Sequence, residues 1–505
     1  MQRFNRWWRV GMSAWRITRI LGLLASVLAT IGLMGCSPTT EPQGFWGKLW
    51  KLEVGPDYKR PNLASENEFR SQLGPVEAAS LSDFPWWKVF NDKALQELIA
   101  GALAHNYDLQ LASARVEQAR ALVWVAASEL YPQIGYQAFA GREKTFVPLE
   151  QTGGNLTFNT FGGFLNAVWE LDVWGRIRRS TEAARANLFA QEDVRRGVML
   201  TLVSDVATGY FRLLELDLEL AIAQESSRVY KQTLDLFTQR FEFGRDSKLP
   251  VVRAQANFDS SIANIASLKR AIVQQENALS VLLGVYPEAI ERGLPLTAQS
   301  TPRTPLGLTT DLMQRRPDLL QAEQNMIGAN AEIGVAVANF FPRIGLSALY
   351  GAQSPEINDL VDSSFSIWRI AGGITGPIFE GGRLLENYYA QQAFWDGTIA
   401  QYKQTVLVAF REVSDALIAQ EMLVDQRAAL QHQVESLKEA VDLALLRYNV
   451  GRASYFEVLE AEQLLFPAED ALAQTQRDQL LVVVDLYKAL GGGWNLSNPE
   501  WTHPY

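Results

Sequence analysis

The sequence predicts a mainly α fold, two copies of one long helical hairpin, that carries a share of a membrane β-barrel. Three observations lead to this. First, RFEFGRDS at 240–247 returns 207 positions later as RYNVGRAS at 447–454, and the register holds through Val251/Val458, Ala254/Ala461 and Leu283-Gly284/Leu490-Gly491. Upstream the offset becomes 210, pairing Asp108-Leu109 with Asp318-Leu319 and LYPQIGY (130–136) with FFPRIGL (340–346). Second, Arg176 to Phe243 holds no proline and only two glycines, a run long enough for a helix of roughly 100 Å. Third, short alternating segments follow the LYPQIGY and FFPRIGL junctions and read as strands. A repeat of about 200 residues is too long for a stacked solenoid unit, whose periods run roughly 20–50 residues.

The chain opens with a segment outside the fold. Arg3, Arg6, Arg9, Arg16 and Arg19 precede an apolar run, Ile20 to Met34, that leads into Gly35-Cys36. This is the layout of an export signal over residues 1–35, with an apolar core on the short side for a membrane span. The only cysteine stands where that run ends, as LMGC. The pattern resembles the lipobox of bacterial lipoproteins, so Cys36 is the expected lipid attachment (palmitate) site, followed by Ser37. An acyl chain adds membrane affinity without making a spanning helix.

Residues 36–91, rich in Pro, Gly and Trp, read as a lipidated strap. The first repeat, 92–284, begins with a helix from Lys93 to about Leu130, ended by Pro132. Strands follow at about 133–141 and 156–171, then the long helix Arg176–Phe243. A tight turn at Gly244 leads to a return helix at 249–283, with Pro250 in the first turn, where proline is tolerated. Met199, Val203, Val206, Tyr210 and Leu213 step by four and three, the seam spacing of a coiled coil. Leu430, Val434, Leu437, Val441, Ala444 and Tyr448 repeat it in the second copy. Residues 285–317 form a linker. The second repeat, 318–491, is expected to hold a helix at 318–340, strands at about 343–351 and 363–376, a helix at 383–450 and a return helix at 455–490. Pro467 predicts a kink in the last helix, and 492–505 form a C-terminal tail.

Composition narrows the function. The net charge is −10, and without residues 1–35, which carry five arginines and no acid, it is −15. Such a chain is a poor partner for nucleic acid. His105, His432 and His503 are scattered, and with one cysteine they predict no metal, cofactor or catalytic site. The four strands are more informative. In lipid an open four-stranded sheet leaves unpaired backbone groups, so it must close. Two chains give eight strands, which side chains fill; three give twelve, which leave an aqueous lumen. A homotrimer with a 12-stranded barrel and a continuous helical α-barrel is therefore expected. A soluble coiled-coil spacer in the envelope accounts for the helices alone.

VGPDYKRP (54–61), the LYPQIGY and FFPRIGL junctions, GPIFEGGR (376–383), RYNVGRAS and LYKALGGGW (486–494) resemble the outer-membrane efflux family. The resemblance is to its NodT-type lipoproteins, relatives of TolC and OprM, and covers Val54 to Trp494. It implies a passive exit duct in the outer membrane of a Gram-negative bacterium. In such a tripartite pump an RND transporter of the inner membrane supplies energy and a periplasmic adaptor joins it to the duct. The expected cargo is small molecules or drugs; a duct for metal cations or secreted protein shares the same features. The 17 residues between Cys36 and Val54, with Trp46 and Trp50, exceed the usual length.

The resemblance also assigns sites. The turns Phe243-Gly244-Arg245 and Val450-Gly451-Arg452 become adaptor docking points, with φ > 0 expected at both glycines. Tyr448 falls at the position of a gate tyrosine. Ala453 stands where some relatives carry an arginine, so no arginine partner is expected from that position. Glu457 and Glu460, three apart on one helix face, match the carboxylates of the periplasmic aperture. In a trimer they give two rings of negative charge that favour cations. The first repeat has Val251 and Arg253 nearby, so only one hairpin per chain contributes.

Overall fold

The computed structural model describes residues 52–61, 92–147, 154–300 and 315–492. Cys36 lies outside the described residues, as do most of the strap and tail. The chain divides into two units, one of residues 1–53 and 173–175 and one of Val54–Asp172 and Arg176–Tyr505. All the helices and strands described below belong to the second.

In chain order the elements are α1 (Lys93–His105), α2 (Tyr107–Ser128), β1 (Gln133–Val147), β2 (Gly154–Leu171), α3 (Arg176–Glu242), α4 (Lys248–Leu282), α5 (Pro317–Ala338), β3 (Arg343–Ser354), β4 (Ser366–Thr375), α6 (Arg383–Asn449) and α7 (Tyr455–Ala489). The duplication survives to the residue. Both long helices have 67 residues, both return helices 35, and α2 and α5 have 22 each.

The expected helix from Lys93 to Leu130 is two helices. Asn106 is extended (φ −62°, ψ 131°), and its side chain accepts the Leu109 N–H at 3.0 Å and donates to the Leu282 carbonyl at 3.0 Å. An N-cap side chain thus breaks the helix where neither proline nor glycine is present. β1 runs six residues past its expected end, because Arg142, Glu143 and Lys144 interrupt the apolar alternation without interrupting the ladder to β2. β4 starts later than expected, at Ser366, after two short 3₁₀ turns. Helix α7 continues through Pro467.

Helix α3 packs on α2 and α4 of its own half and on α5 and α7 of the other, while α6 packs on α7 and α5. It is long and apolar enough to cross a membrane, but 61% of its apolar window is buried inside the protein. Its seam residues Val206, Tyr210 and Leu213 are fully buried against Leu95, Ile99, Leu279 and Met326. Truncating one of these, Met326→Ala for example, removes packing of about 2–5 kcal/mol. The Tyr210 hydroxyl donates to Asp92 at 2.9 Å and accepts the Gly293 N–H at 2.9 Å. A tie between the halves is ionic: the buried Glu215 of α3 accepts from Arg212 and from Arg477 of α7.

Four helix ends close alike. Gly244, Gly284, Gly451 and Gly491 have φ between 65° and 80°. Each donates its N–H to the carbonyl three residues back, and the next N–H reaches back five, as in Arg245 to Arg240 and Arg452 to Arg447, both 2.8 Å. This is the glycine-closed Schellman pattern.

The sheet has the order β1-β2-β3-β4, all antiparallel, leaving β1 and β4 as free edges. Cross-strand partners share a face. Tyr136, Leu165, Tyr350 and Trp368 form one row across all four strands and are 85, 58, 55 and 71% exposed. Ile134, Leu346 and Ile370 extend that apolar face. The opposite face is more polar, with Gln133, Gln137, Asn166, Ser347, Gln353 and Arg369 among Phe139, Phe164, Val168, Leu349 and Ile367. One face suits hydrocarbon and the other water, the alternation of a membrane barrel wall.

Candidate functional site

Both predicted turns form at the ends of the long helices. Phe243, Gly244, Arg245, Val450, Gly451 and Arg452 are all exposed, Phe243 by 78% and Val450 by 61%. A Cβ at either glycine would meet nothing within 4 Å, so backbone conformation, not crowding, requires glycine there. Just inside the turns lies a cavity of about 330 Å³, walled by Phe237, Arg240, Asp246 and Pro250 from one hairpin and by Tyr448, Ser454 and Tyr455 from the other. None of the six turn residues lines it.

Tyr448 sits in this wall with an arginine partner, and, with Ala453 at the position considered, the arginine comes from elsewhere. The partner is Arg240 of the first repeat: its Nη1 donates to the Tyr448 hydroxyl, and its guanidinium lies over the Tyr448 ring, 5.8 Å from the centroid. Asp246 holds the other side of Arg240, with Oδ2 3.1 Å from Nε. Tyr448 also meets Tyr455 edge-on at 5.0 Å, and Tyr455 meets Phe237 at 4.9 Å. The Tyr455 hydroxyl bonds Thr233 of α3. Burial pushes that phenol up to about 12. Leu234, Ala254, Ala444 and Val458 complete the apolar packing. The cluster joins the two hairpins near their tips.

Repeat counterparts have diverged here. Arg447, the equivalent of Arg240, lies 3.1 Å from Glu457. Its own turn offers Ala453 where the first offers Asp246, so it takes its acid from the first turn of α7. Glu457 is therefore neutralised by a neighbour, whereas Glu460 is exposed and has no ion pair among the described residues. Instead of two uncompensated carboxylates per chain, this surface carries one. An exposed pair of this kind contributes only about 0–1 kcal/mol to stability, but it changes the local charge by a full unit.

Sequence reasoning missed Glu462. It lies two residues beyond Glu460 yet is 3% exposed, and its Oε2 has no hydrogen-bond partner. Burial pushes its carboxyl up to about 7, in the neighbourhood of Tyr230 on α3 and Tyr455. Arg240 and Asp246 were also missed. The mismatch of Asp246 with Ala453 inside an otherwise matching octapeptide is the signal that points to them.

A family model described as outer membrane efflux protein matches residues 98–285 and 308–492. The cation efflux system protein CusC of Escherichia coli is 33% identical over 454 residues, covering 88% of this chain and 96% of that protein. The solvent efflux pump outer membrane protein SrpC of Pseudomonas putida is 36% identical over 448 residues, covering 88% of this chain and 95% of that protein. Among solved structures, the open state of the MtrE outer membrane channel of Neisseria gonorrhoeae matches with a TM-score of 0.78 and 31% identity, over 87% of this chain and 98% of that one. The chain belongs to the outer membrane efflux protein family.

Proposed function

We propose that three copies of this chain form the passive exit duct of a tripartite efflux system in the outer membrane, receiving small molecules from an inner-membrane RND transporter through a periplasmic adaptor. The observation that carries this reading is the exposed row Tyr136–Leu165–Tyr350–Trp368 with polar residues on the opposite face. Apolar side chains in such numbers on one face of a two-edged sheet call for lipid on that side and water on the other. Closure requires β4 of one copy to meet β1 of the next, and twelve strands are the smallest set that leaves a lumen. In this reading Cys36 carries the lipid. The turns at 243–245 and 450–452 meet the adaptor, and Tyr448, Glu457 and Glu460 line the gate. Relatives of similar identity are named for cations and for solvent, so the duct is common to both and cargo is set elsewhere.

The test is reconstitution of the detergent-purified protein in a planar bilayer. A cysteine in β1 and one in β4 are expected to crosslink copies into a closed trimer that still conducts. A water-soluble monomer, or a trimer with no conductance, overturns the duct.

A further inference from the structure

The polar face of the sheet is interrupted by two phenylalanines placed in the same way. Phe139 of β1 pairs with Gly162 of β2, and Phe164 of β2 pairs with Gly351 of β3. Each ring lies close to its partner glycine: a Cβ on Gly162 would come 2.5 Å from Phe139 Cζ, and one on Gly351 would meet the Gly163 carbonyl oxygen at 2.0 Å and Phe164 Cδ1 at 2.6 Å. The two rings meet at 6.1 Å between centroids, tilted by 31°. Phe139 keeps 37% of its surface exposed. Their neighbours on this face are Gln137, Asn166 and Gln353, with the apolar Leu349 and Ile367 beyond Gly351.

Covering glycine is a known way to stabilise a strand, and it explains why the rings lie down. It does not explain why two adjacent glycines are each roofed by phenylalanine on the face that meets water. Laid against the backbone, the rings present π-faces and edges sideways without filling the passage. Aromatic pairs of this geometry attract a third ring by offset or edge contact. The adjacent amides of Gln137, Asn166 and Gln353 give a polar margin that holds a hydroxyl or carbonyl.

Building on the duct reading, we propose that Phe139 and Phe164 form a transient binding station on the lumen wall for flat aromatic molecules with one polar group. A closed trimer holds three such stations, and a passing molecule exchanges water contact for ring contact without leaving the aqueous path. Binding is weak, because each station offers two rings and no enclosed pocket. Weak binding suits conduction, which requires release as well as entry.

The test is single-channel recording of the full-length trimer with neutral 2-naphthylmethanol or neutral cyclohexylmethanol added on the barrel side. Naphthylmethanol is expected to give current blockades that last at least about fivefold longer than those of cyclohexylmethanol, the margin of one or two aromatic contacts. Phe139→Leu with Phe164→Leu, which keeps apolar volume and removes the rings, is expected to abolish that difference. Phe139→Leu alone, at the more exposed ring, is expected to reduce it, and serves if the double variant does not assemble. Conducting variants with unchanged blockades, even at lowered thermal stability, reduce the rings to glycine covers and overturn the station while leaving the duct intact. A wild-type trimer that does not conduct overturns the duct and the station with it.

Discussion

Arg240 and Tyr448 are bonded across the two repeats, one position out of register with the duplication that created them. The repeat counterpart of Tyr448 is Phe241, and that of Arg240 is Arg447. The contact therefore ties the first hairpin to the second instead of repeating within each. Tyr455 packs on the same ring and is itself held by Phe237 and Thr233, so the two hairpins are tied near their tips by one side-chain cluster. Tyr448→Phe and Arg240→Ala are each expected to raise resting conductance in planar bilayers, and the double variant is expected to add little to either. A thermodynamic cycle on the same variants should return a coupling of about 1–2 kcal/mol. Additive effects would show that the two side chains act separately. Arg240→Lys should not restore the wild-type level, since an ammonium cannot bond the hydroxyl, cover the ring and meet Asp246 at once.

In the proposed duct, charge at the aperture follows from three residues. Glu457, Glu460 and Arg447 together leave one negative charge per chain, so Arg447→Gln is expected to increase cation selectivity. Glu457→Gln and Glu460→Gln each decrease it, and the double variant turns the aperture towards anions. Reversal potentials in a salt gradient measure all four. The differences should shrink at 1 M salt, where the screening length falls to about 3 Å. Failure of Arg447→Gln to move the reversal potential would place this residue outside the conducting path.

Glu462 makes the packing of α7 on α3 sensitive to pH. Its carboxyl is raised to about 7 by burial. Over the interval from about pH 5 to 7 the folded chain therefore keeps a proton that the unfolded chain has lost. The stability associated with the neutral form is complete at low pH and is lost as pH rises through about 7. The cost of ionising it in place is at most about 3 kcal/mol. Glu462→Gln is expected to raise the melting temperature at pH 8 and to flatten its fall between about pH 5 and 7. Asp193 and Asp470, both raised to about 6 by burial, leave a residual slope at lower pH. An unchanged melting curve at pH 8 would mean that water already reaches the carboxylate.

The proposed docking role of the turns can be tested without disturbing the fold. Phe243→Asp and Val450→Asp alter exposed side chains, so trimer formation and melting should be unchanged while crosslinking to the cognate adaptor falls. Gly244→Ala and Gly451→Ala instead strain the backbone, by about 1 kcal/mol or more each, and should lower the melting temperature. Adaptor capture that survives both aspartate substitutions would move docking away from the turns.

The hairpins were legible because their determinants are local. Gly244 and Gly451 close helices by conformation alone, and the long proline-free runs after Arg176 and Arg383 leave little besides helix. Four strands and their approximate places followed from the junction motifs. The break at Asn106 escaped because it depends on one capping amide, and β1 was cut short because its charged residues lie within a ladder that backbone bonds continue. At the candidate gate, Tyr448, Glu457 and Glu460 were named from their positions, and the arginines that meet Tyr448 and Glu457 were not. Arg240 reaches Tyr448 from 208 residues away, and no periodicity encodes that. Glu462 has the sequence context of a solvated helix glutamate, and its burial is set by α3, which packs over it.

The four glycine-closed helix ends have an evolutionary corollary. At Gly244 and Gly451 the reversal is specified by main-chain bonds and by one missing side chain with open space around it, so the exposed residues Phe243, Arg245, Val450 and Arg452 carry no folding duty. The outermost loops of the two hairpins can thus drift independently, each under selection only from what it touches. Short segments spanning Phe243–Arg245 or Val450–Arg452 should exchange between related chains as cassettes, carrying partner preference with them and leaving the scaffold unaware of the swap.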